Sequence, residues 1–165
     1  MRKIIIFISL GILITSCGFK PIYKMSADNM DISSYTIELE NREQLQNVII
    51  EELDQNFPPN TDSTHKIVLN VTEDLIPLIV NTNGTVAKYR IEITFNFSLE
   101  NLAENKVSYK VSYFDTARGV AQYSVVTSEI QNEETRSLMT RSAANEAIQM
   151  MISKIRSNQS IINDS

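Results

Sequence analysis

The sequence predicts an α+β fold: a four-stranded, mostly antiparallel sheet with two helices packed on one face, in the order β-α-β-β-β-α. Two observations lead to this fold class. Through the middle of the chain, apolar and polar residues alternate with a period of two, which is typical of strands with one buried and one wet face. Two other segments carry apolar residues at helical spacing. Helices laid on the apolar face of such a sheet would complete a two-layer domain.

The alternation is longest from Ala87 to Leu99, where every odd position is apolar and every even position is polar. Shorter stretches of the same kind predict three more strands, at 35–40, 67–72 and 106–113. Because neighbouring strand side chains point to opposite faces, each of these strands would bury one face only. Four strands therefore account for the pattern.

The connections between the later strands are short. Asn83-Gly84 indicates a hairpin, because both residues tolerate a positive φ. Residues 102–105 supply a second short connection. The second, third and fourth strands are therefore expected to form an antiparallel meander.

The two predicted helices run from Arg42 to Phe57 and from about Glu129 to Arg156. Pro58-Pro59 would end the first helix, and Ser128, at capping-box spacing from Gln131, would begin the second. The first helix carries its apolar stripe on Leu45, Val48, Ile49, Leu53 and Phe57. The second carries it on Ile130, Leu138, Ala144, Ile148, Met151, Ile152 and Ile155.

The N-terminus indicates a lipidated precursor. Arg2 and Lys3 precede an apolar run at 4–14, which is shorter than the about 20 residues that a membrane-spanning helix needs and is typical of a signal peptide. Ile14-Thr15-Ser16-Cys17 then resembles the bacterial lipobox, in which the cysteine is lipidated and becomes the first mature residue. Gly18, in place of an aspartate, favours the outer membrane. The alternative is an ordinary signal peptide with a chance cysteine.

Four segments follow from this interpretation: a signal peptide at 1–16, a lipidated N-terminus and tether at 17–31, one domain at 32–156 and a polar tail at 157–165. Cleavage would leave 13 basic and 20 acidic residues. Such an acidic chain without a basic run argues against nucleic-acid binding, which depends on neutralising phosphates.

No catalytic centre is predicted. The one histidine, His65, has no second histidine and no cysteine available to share a metal, since Cys17 is the only cysteine. The chain has no nucleophile elbow, phosphate loop or dinucleotide fingerprint. We therefore expect a protein that is not an enzyme, with no metal and no cofactor apart from a covalent diacylglycerol and an N-acyl chain on Cys17.

Several stretches together resemble the outer-membrane LPS-assembly lipoprotein family (LptE-like), the small partner that plugs the lipopolysaccharide-exporting barrel. The opening Cys17-Gly18-Phe19-Lys20-Pro21-Ile22-Tyr23 is similar to the family's Cys-Gly-Phe start. Asn83-Gly84, followed by Ala87-Lys88-Tyr89-Arg90, resembles its second hairpin, and Tyr109 to Asp115 leading into a loop and a long helix is the third match. The order of elements agrees over nearly all of the mature chain.

The resemblance implies a function in binding. A lipoprotein of this family, held at the periplasmic face of the outer membrane, sits within a large β-barrel, supports its folding and helps to deliver lipopolysaccharide to the outer leaflet. Polar residues on the open sheet face would suit a wet barrel lumen, although ordinary solvation explains them equally well: Thr94, Asn96, Ser98, Ser108 and Ser112.

The resemblance also suggests contact residues. Family members are thought to contact lipopolysaccharide through basic residues near the hairpin and in the loop before the last helix. Here Thr82 stands where a basic residue would precede Asn83, so Arg90, Arg118 and Lys88 are the candidates; the alternative is ordinary surface charge. Barrel-contact candidates are Leu78, Ile79, Val80, Asn83 and Gly84, unless the apolar triplet is a buried strand segment after Pro77.

Two other functions remain open from the sequence. An auxiliary lipoprotein of a lipid-transport ATPase complex would need an apolar cavity between the sheet and the helices. A lipid-anchored hydrolase would need a catalytic centre that the sequence does not reveal.

Overall fold

The computed structural model describes residues 35–59, 63, 65–102 and 109–158. The signal peptide, Cys17, the tether and residues 159–165 of the tail lie outside the described residues. The strands are β1 (Tyr35–Leu39), β2 (His65–Val80), β3 (Val86–Leu102) and β4 (Tyr109–Ser124). The helices are α1 (Asn47–Asn56) and α2 (Glu129–Ser157), with a 3₁₀ turn at Arg42–Gln44 before α1.

The fold class and the element order are confirmed. The sheet has the order β1-β2-β3-β4, and β1 runs parallel to β2 because α1 provides the crossover between them. β2, β3 and β4 form an antiparallel meander. The sheet is therefore mixed but mostly antiparallel.

The core lies between the helices and one face of the sheet. The odd-numbered residues 91–99 of β3 are fully buried, with Phe95 and Phe97 among the largest buried side chains. Ile67, Leu69 and Val71 of β2 lie on the same face. The helices complete the core with Ile49, Leu53, Ile148, Met151 and Ile155. Burial of each such side chain contributes roughly 1.5–3 kcal/mol to stability.

Two strands are much longer than the alternation predicts. β2 continues from the predicted 67–72 to Val80, and β4 continues from the predicted 106–113 to Ser124. In β4 the inward positions are the small residues Ala117, Gly119 and Ala121, which do not stand out as apolar in a sequence pattern. The outer part of β2 loses the pattern because burial ends at Val71.

The first helix is shorter than predicted. The 3₁₀ turn ends at Leu45, whose backbone is extended (φ −92°, ψ 149°), and α1 begins only at Asn47. Leu45 therefore does not belong to the helical stripe. Val48, Ile49, Leu53 and Phe57 are buried as predicted.

The long helix begins as predicted, since the Ser128 side chain accepts a hydrogen bond from the Gln131 backbone N–H at 3.4 Å. Two assignments on its apolar stripe are wrong. Ile130 is 74% exposed and Leu138 is 60% exposed, and burial on α2 begins only at Thr140. A helical pattern marks a face but not how far the neighbouring layer extends beneath it.

The helix α2 approaches β4 closely at Gly119. A Cβ on this residue would lie 1.9 Å from the Ala143 carbonyl oxygen and 2.7 Å from the Ala147 nitrogen. Ala143 and Ala147 are fully buried at the contact. Small side chains on both elements allow α2 to approach β4 this closely, and the strand needs a glycine at this position.

The same helix covers the middle of the outer edge of β4. Lys154 Nζ donates to the Thr116 carbonyl at 2.7 Å, Met150 Sδ accepts from the Arg118 N–H at 3.4 Å, and Glu146 Oε2 accepts from the Val120 N–H at 2.9 Å. These helical residues are four apart and so share one face. An edge strand with its backbone groups occupied in this way is protected from pairing with another strand.

Lys154 also pairs with Asp115 at 2.8 Å, and Tyr113 donates a hydrogen bond to the same carboxylate at 2.5 Å. These bonds lower the pKa of Asp115 to about 2, and burial together with Asp115 raises the pKa of Tyr113 to about 12. Because the folded-state pKa of Asp115 is depressed, its contribution to stability is complete above the ordinary value of 3.8 and is lost as the pH falls toward 2.

We expect Gly119→Ala to destabilise the domain by about 1–3 kcal/mol or more, because its Cβ would meet helix backbone that cannot rotate away. Urea unfolding measures the effect. Gln122→Ala, on the exposed side of the same strand, is the matched control and should change stability by less than about 0.5 kcal/mol. An unfolding midpoint for Gly119→Ala equal to that of the control would contradict the close approach.

Candidate interaction surface

The hairpin between β2 and β3 is closed by its own hydrogen bonds. Asn81 N–H donates to the Thr85 carbonyl at 2.8 Å, and Gly84 N–H donates to the Asn81 carbonyl at 3.0 Å. Gly84 has a φ of +85°, which an L side chain rarely adopts. Asn83 Oδ1 accepts from the Thr85 backbone N–H at 3.1 Å. Asn83 and Gly84 therefore shape the turn.

The apolar triplet before this turn is exposed. Leu78, Ile79 and Val80 belong to β2, but Ile79 is 52% and Val80 57% exposed. The strand pairing is irregular here, with register shifts between Pro77 and Ile79 and between Ile79 and Val80. The alternative of a buried strand segment is therefore wrong for this triplet.

Further exposed apolar residues, which the sequence reasoning missed, lie at the same end of the sheet. Val125 continues β4 beside the hairpin, since its N–H donates to the Ala87 carbonyl at 2.9 Å. Val126 exchanges two hydrogen bonds of 2.8 Å with the side chain of Asn132 in the first turn of α2. We call this set the apolar end: Leu78, Ile79, Val80, Val125, Val126 and Ile130. The sequence signal that could have indicated these residues is Val125-Val126, a pair of apolar residues in the loop before the last helix.

The basic candidates lie on the open face of the sheet, which is the face that the helices do not cover. Arg118 forms an ion pair with Glu92, and Arg90 Nε lies 4.0 Å from a carboxylate oxygen of the same residue. Glu92 is largely buried beneath them. Glu92 thus lies against two guanidinium groups, and Asp74 on β2 lies opposite Glu92 on the same face, so the charges of this cluster balance.

The structure corrects the placement of Arg118, which lies on β4 rather than in a loop before the last helix. The reason is the extension of β4 to Ser124. Lys88 lies nearer the hairpin, opposite Ser124 on β4 and beside Ile79 on β2. The three basic candidates therefore all lie on the open face, with Lys88 nearest to the apolar end.

The rest of the open face is polar, as predicted for Thr94, Asn96 and Ser98, and each of these is partly accessible. Thr116 on β4 donates a hydrogen bond to Asn96 Oδ1 at 3.0 Å. The side chains of Ser108 and Ser112 lie outside the described residues. Phe114, opposite Ser98, is apolar and 68% exposed, and Val120, opposite Glu92, is a second exposed apolar residue of this face.

His65 packs against Tyr35, with ring centroids 4.9 Å apart, and burial lowers its pKa. Within the described residues no group of three or more His, Cys, Asp and Glu side chains could hold a metal ion. None of the described helices combines the length and the apolar character needed to cross a membrane.

The space between the sheet and the helices is filled by side chains, with the large residues of β3, α1 and α2 fully buried there. A cavity of about 370 Å³ lies instead beside β1 and the end of α1, where Arg42, Asp54 and Lys66 contribute to its lining.

These features define a two-layer α+β domain that presents an apolar end and a polar, partly basic sheet face. The family model LptE, described as lipopolysaccharide-assembly, matches residues 26–155. The chain belongs to this family of non-enzymatic, outer-membrane-associated lipoproteins, and lipopolysaccharide assembly is its general role.

Solved structures share the fold. A lipoprotein from Caulobacter crescentus CB15 has a TM-score of 0.53 and 15% identity, covering 80% of this chain and 90% of its own. A minor lipoprotein from Acinetobacter baumannii has a TM-score of 0.50 and 19% identity, covering 79% of this chain and 97% of its own. At these identities the likeness concerns the fold alone. No curated protein matches the sequence significantly.

Proposed function

We propose that this chain is a lipid-anchored outer-membrane lipoprotein that binds and plugs the lipopolysaccharide-exporting β-barrel, supporting its assembly and the delivery of lipopolysaccharide to the outer leaflet. The observation that carries the proposal is the apolar end in a member of the lipopolysaccharide-assembly family. Several exposed apolar side chains at one end of a small domain are typical of a protein interface. The hairpin would dock through Leu78, Ile79 and Val80, with Asn83 and Gly84 holding the turn in shape.

The open face of the sheet supports the same assignment. It is mostly polar and only partly charged, with Thr94, Asn96 and Ser98 between the basic residues and Phe114, and with Val120 as a second exposed apolar residue. Such a face can lie against a water-filled lumen without a desolvation penalty, because water can bridge its polar groups. The helices lie on the other face of the sheet, so the open face remains available.

We expect the double substitution Ile79→Ser, Val80→Ser to lower recovery of the barrel with this lipoprotein by about tenfold, because an apolar anchor is lost. The measurement is co-purification from detergent-solubilised outer membranes after co-expression. Both side chains are exposed, so the free protein should unfold at nearly the wild-type temperature.

Phe114→Ser is the matched control, since it removes an exposed apolar side chain from the open face rather than from the apolar end. It should retain the barrel. Recovery of wild-type protein as a monomer, with normal surface lipopolysaccharide after depletion, would refute the proposed function.

The basic residues of the open face are proposed to contact lipopolysaccharide. A lipid phosphate could compete with Glu92 for Arg90 and Arg118, since guanidinium groups bind phosphate in a bidentate manner. Lys88 would add a third cation on the path towards the hairpin. The two arginines are already held near one another, so little side-chain order has to be acquired on binding.

This contact predicts opposite effects from two neighbouring substitutions. Arg118→Gln should weaken lipopolysaccharide binding roughly tenfold, whereas Glu92→Gln should strengthen it, because both guanidinium groups lose their competing carboxylate. Fluorescence titration with purified lipopolysaccharide measures both. Arg42→Gln, at an exposed ion pair with Asp54 of α1, is the control. Equal affinities for Arg118→Gln and Arg42→Gln would remove these residues from the proposed contact.

The anchor is proposed at Cys17. We expect Cys17→Ser to abolish incorporation of labelled fatty acid and to leave an uncleaved or mislocalised precursor, because the thiol that receives the lipid is missing. Metabolic labelling followed by membrane fractionation measures the outcome. Ser16→Ala retains the thiol and a small residue before it and should be processed normally. Labelling of Cys17→Ser equal to wild type would refute the assignment.

A further inference from the structure

The strand β1 covers only the first part of the outer edge of β2. β1 has 5 residues and β2 has 16, and their pairing ends at Leu39 and Leu69. Immediately beyond, the side chain of Asn41 acts as a substitute peptide group. Its Nδ2 donates to the Val71 carbonyl at 2.6 Å, and its Oδ1 accepts from the Val71 N–H at 3.2 Å.

The edge beyond Val71 has no such partner. Backbone groups alternate in direction along a strand, so Glu73 and Leu75 turn their N–H and C=O outward, as Val71 does. The register stays regular over this stretch and shifts only after Pro77. Within the described part of the chain, none of these outward groups of Glu73 and Leu75 forms a hydrogen bond. Pro77 has no N–H and so limits the edge.

The surroundings of this edge fit an incoming strand. Leu75, on the helix side, is exposed and could pack against an apolar neighbour. Asp74 is exposed on the open side, and Glu40 is exposed near the end of β1. Where the edge begins, a polar cavity of about 510 Å³ is lined by residues that include Gln44, Val71 and Glu73.

One occupant from this chain itself is disfavoured. A second copy pairing antiparallel through the same edge would place Glu73 opposite Pro77, which offers no N–H. In the neighbouring register, with Glu73 opposite Leu75, Asp74 of one copy would lie directly opposite Asp74 of the other, which is unfavourable between paired strands.

We propose that the outer edge of β2 from Glu73 to Pro77 receives an extended strand of the barrel partner, paired through main-chain hydrogen bonds and carrying a basic side chain near Asp74. This inference rests on the proposed function, because it names how that partner is held. Strand addition to an exposed edge is a general mode of recognition in which the backbone provides the affinity. The edge adjoins the triplet 78–80, so both surfaces could engage at once.

Leu75→Pro tests the edge directly. It removes the outward N–H but no bond of the β2–β3 ladder, because that ladder uses the even-numbered residues at this point. The control is Leu75→Ala, which removes most of the side chain and keeps the N–H. In co-purification with the co-expressed barrel, we expect about a tenfold loss for the proline variant beyond any loss for the alanine variant. Equal recovery of the two variants would overturn the inference.

Hydrogen exchange on the wild-type complex decides the question even if Leu75→Pro fails to fold. The amides of Glu73 and Leu75 should exchange rapidly in the free lipoprotein and at least tenfold more slowly in the complex. A complex in which both amides still exchange rapidly overturns the inference but leaves the proposed function intact. Failure of wild-type protein to bind the barrel refutes the proposed function itself. Protection that arises from self-association alone would assign the edge to a second copy and overturn the inference.

Discussion

The structure depends on a mismatch in length between its two layers. β2, β3 and β4 have 16 or 17 residues and so span roughly 55 Å, whereas α1 has 10 residues and spans about 15 Å. α2 has 29 residues and spans about 44 Å, but its buried residues begin only at Thr140. The helices therefore cover only part of the sheet. The covered part holds the core around Phe95 and Phe97, and the remaining part leaves the apolar end exposed. A stable fold and an accessible surface thus come from the same strands.

The position of α2 on the sheet is determined by packing and by charge together. The contact at Gly119 requires alanines on the helix, so it permits few alternative alignments. Three basic residues along α2 also lie close to carboxylates of the sheet or of α1. Arg136 lies 3.6 Å from Glu73, Arg141 Nε lies 3.2 Å from Glu52, and Lys154 lies 2.8 Å from Asp115. Glu52 is buried, so Arg141 compensates a charge that would otherwise be costly there.

The sequence predicted the fold class, the meander and the beginning of α2, because these depend on local alternation, turn chemistry and capping. It did not predict the length of β2 and β4, since neither an exposed strand nor one with small inward residues shows the pattern of a half-buried strand. Ile130 and Leu138 were assigned to the core because a helical stripe carries no information about where the opposite layer ends. Arg90 and Arg118 were identified from charge near the hairpin, but Glu92 between them follows only from strand register.

The side chains of Glu146, Met150 and Lys154 along β4 have a consequence for the assembly of the domain with others of its kind. For sheets to join edge to edge without limit, each molecule needs two edge strands that can pair with a neighbour. Here the middle section of the β4 edge is covered by side chains of α2 from the same molecule. Copies of this chain therefore cannot pair strands through this section of β4, which disfavours fibre growth.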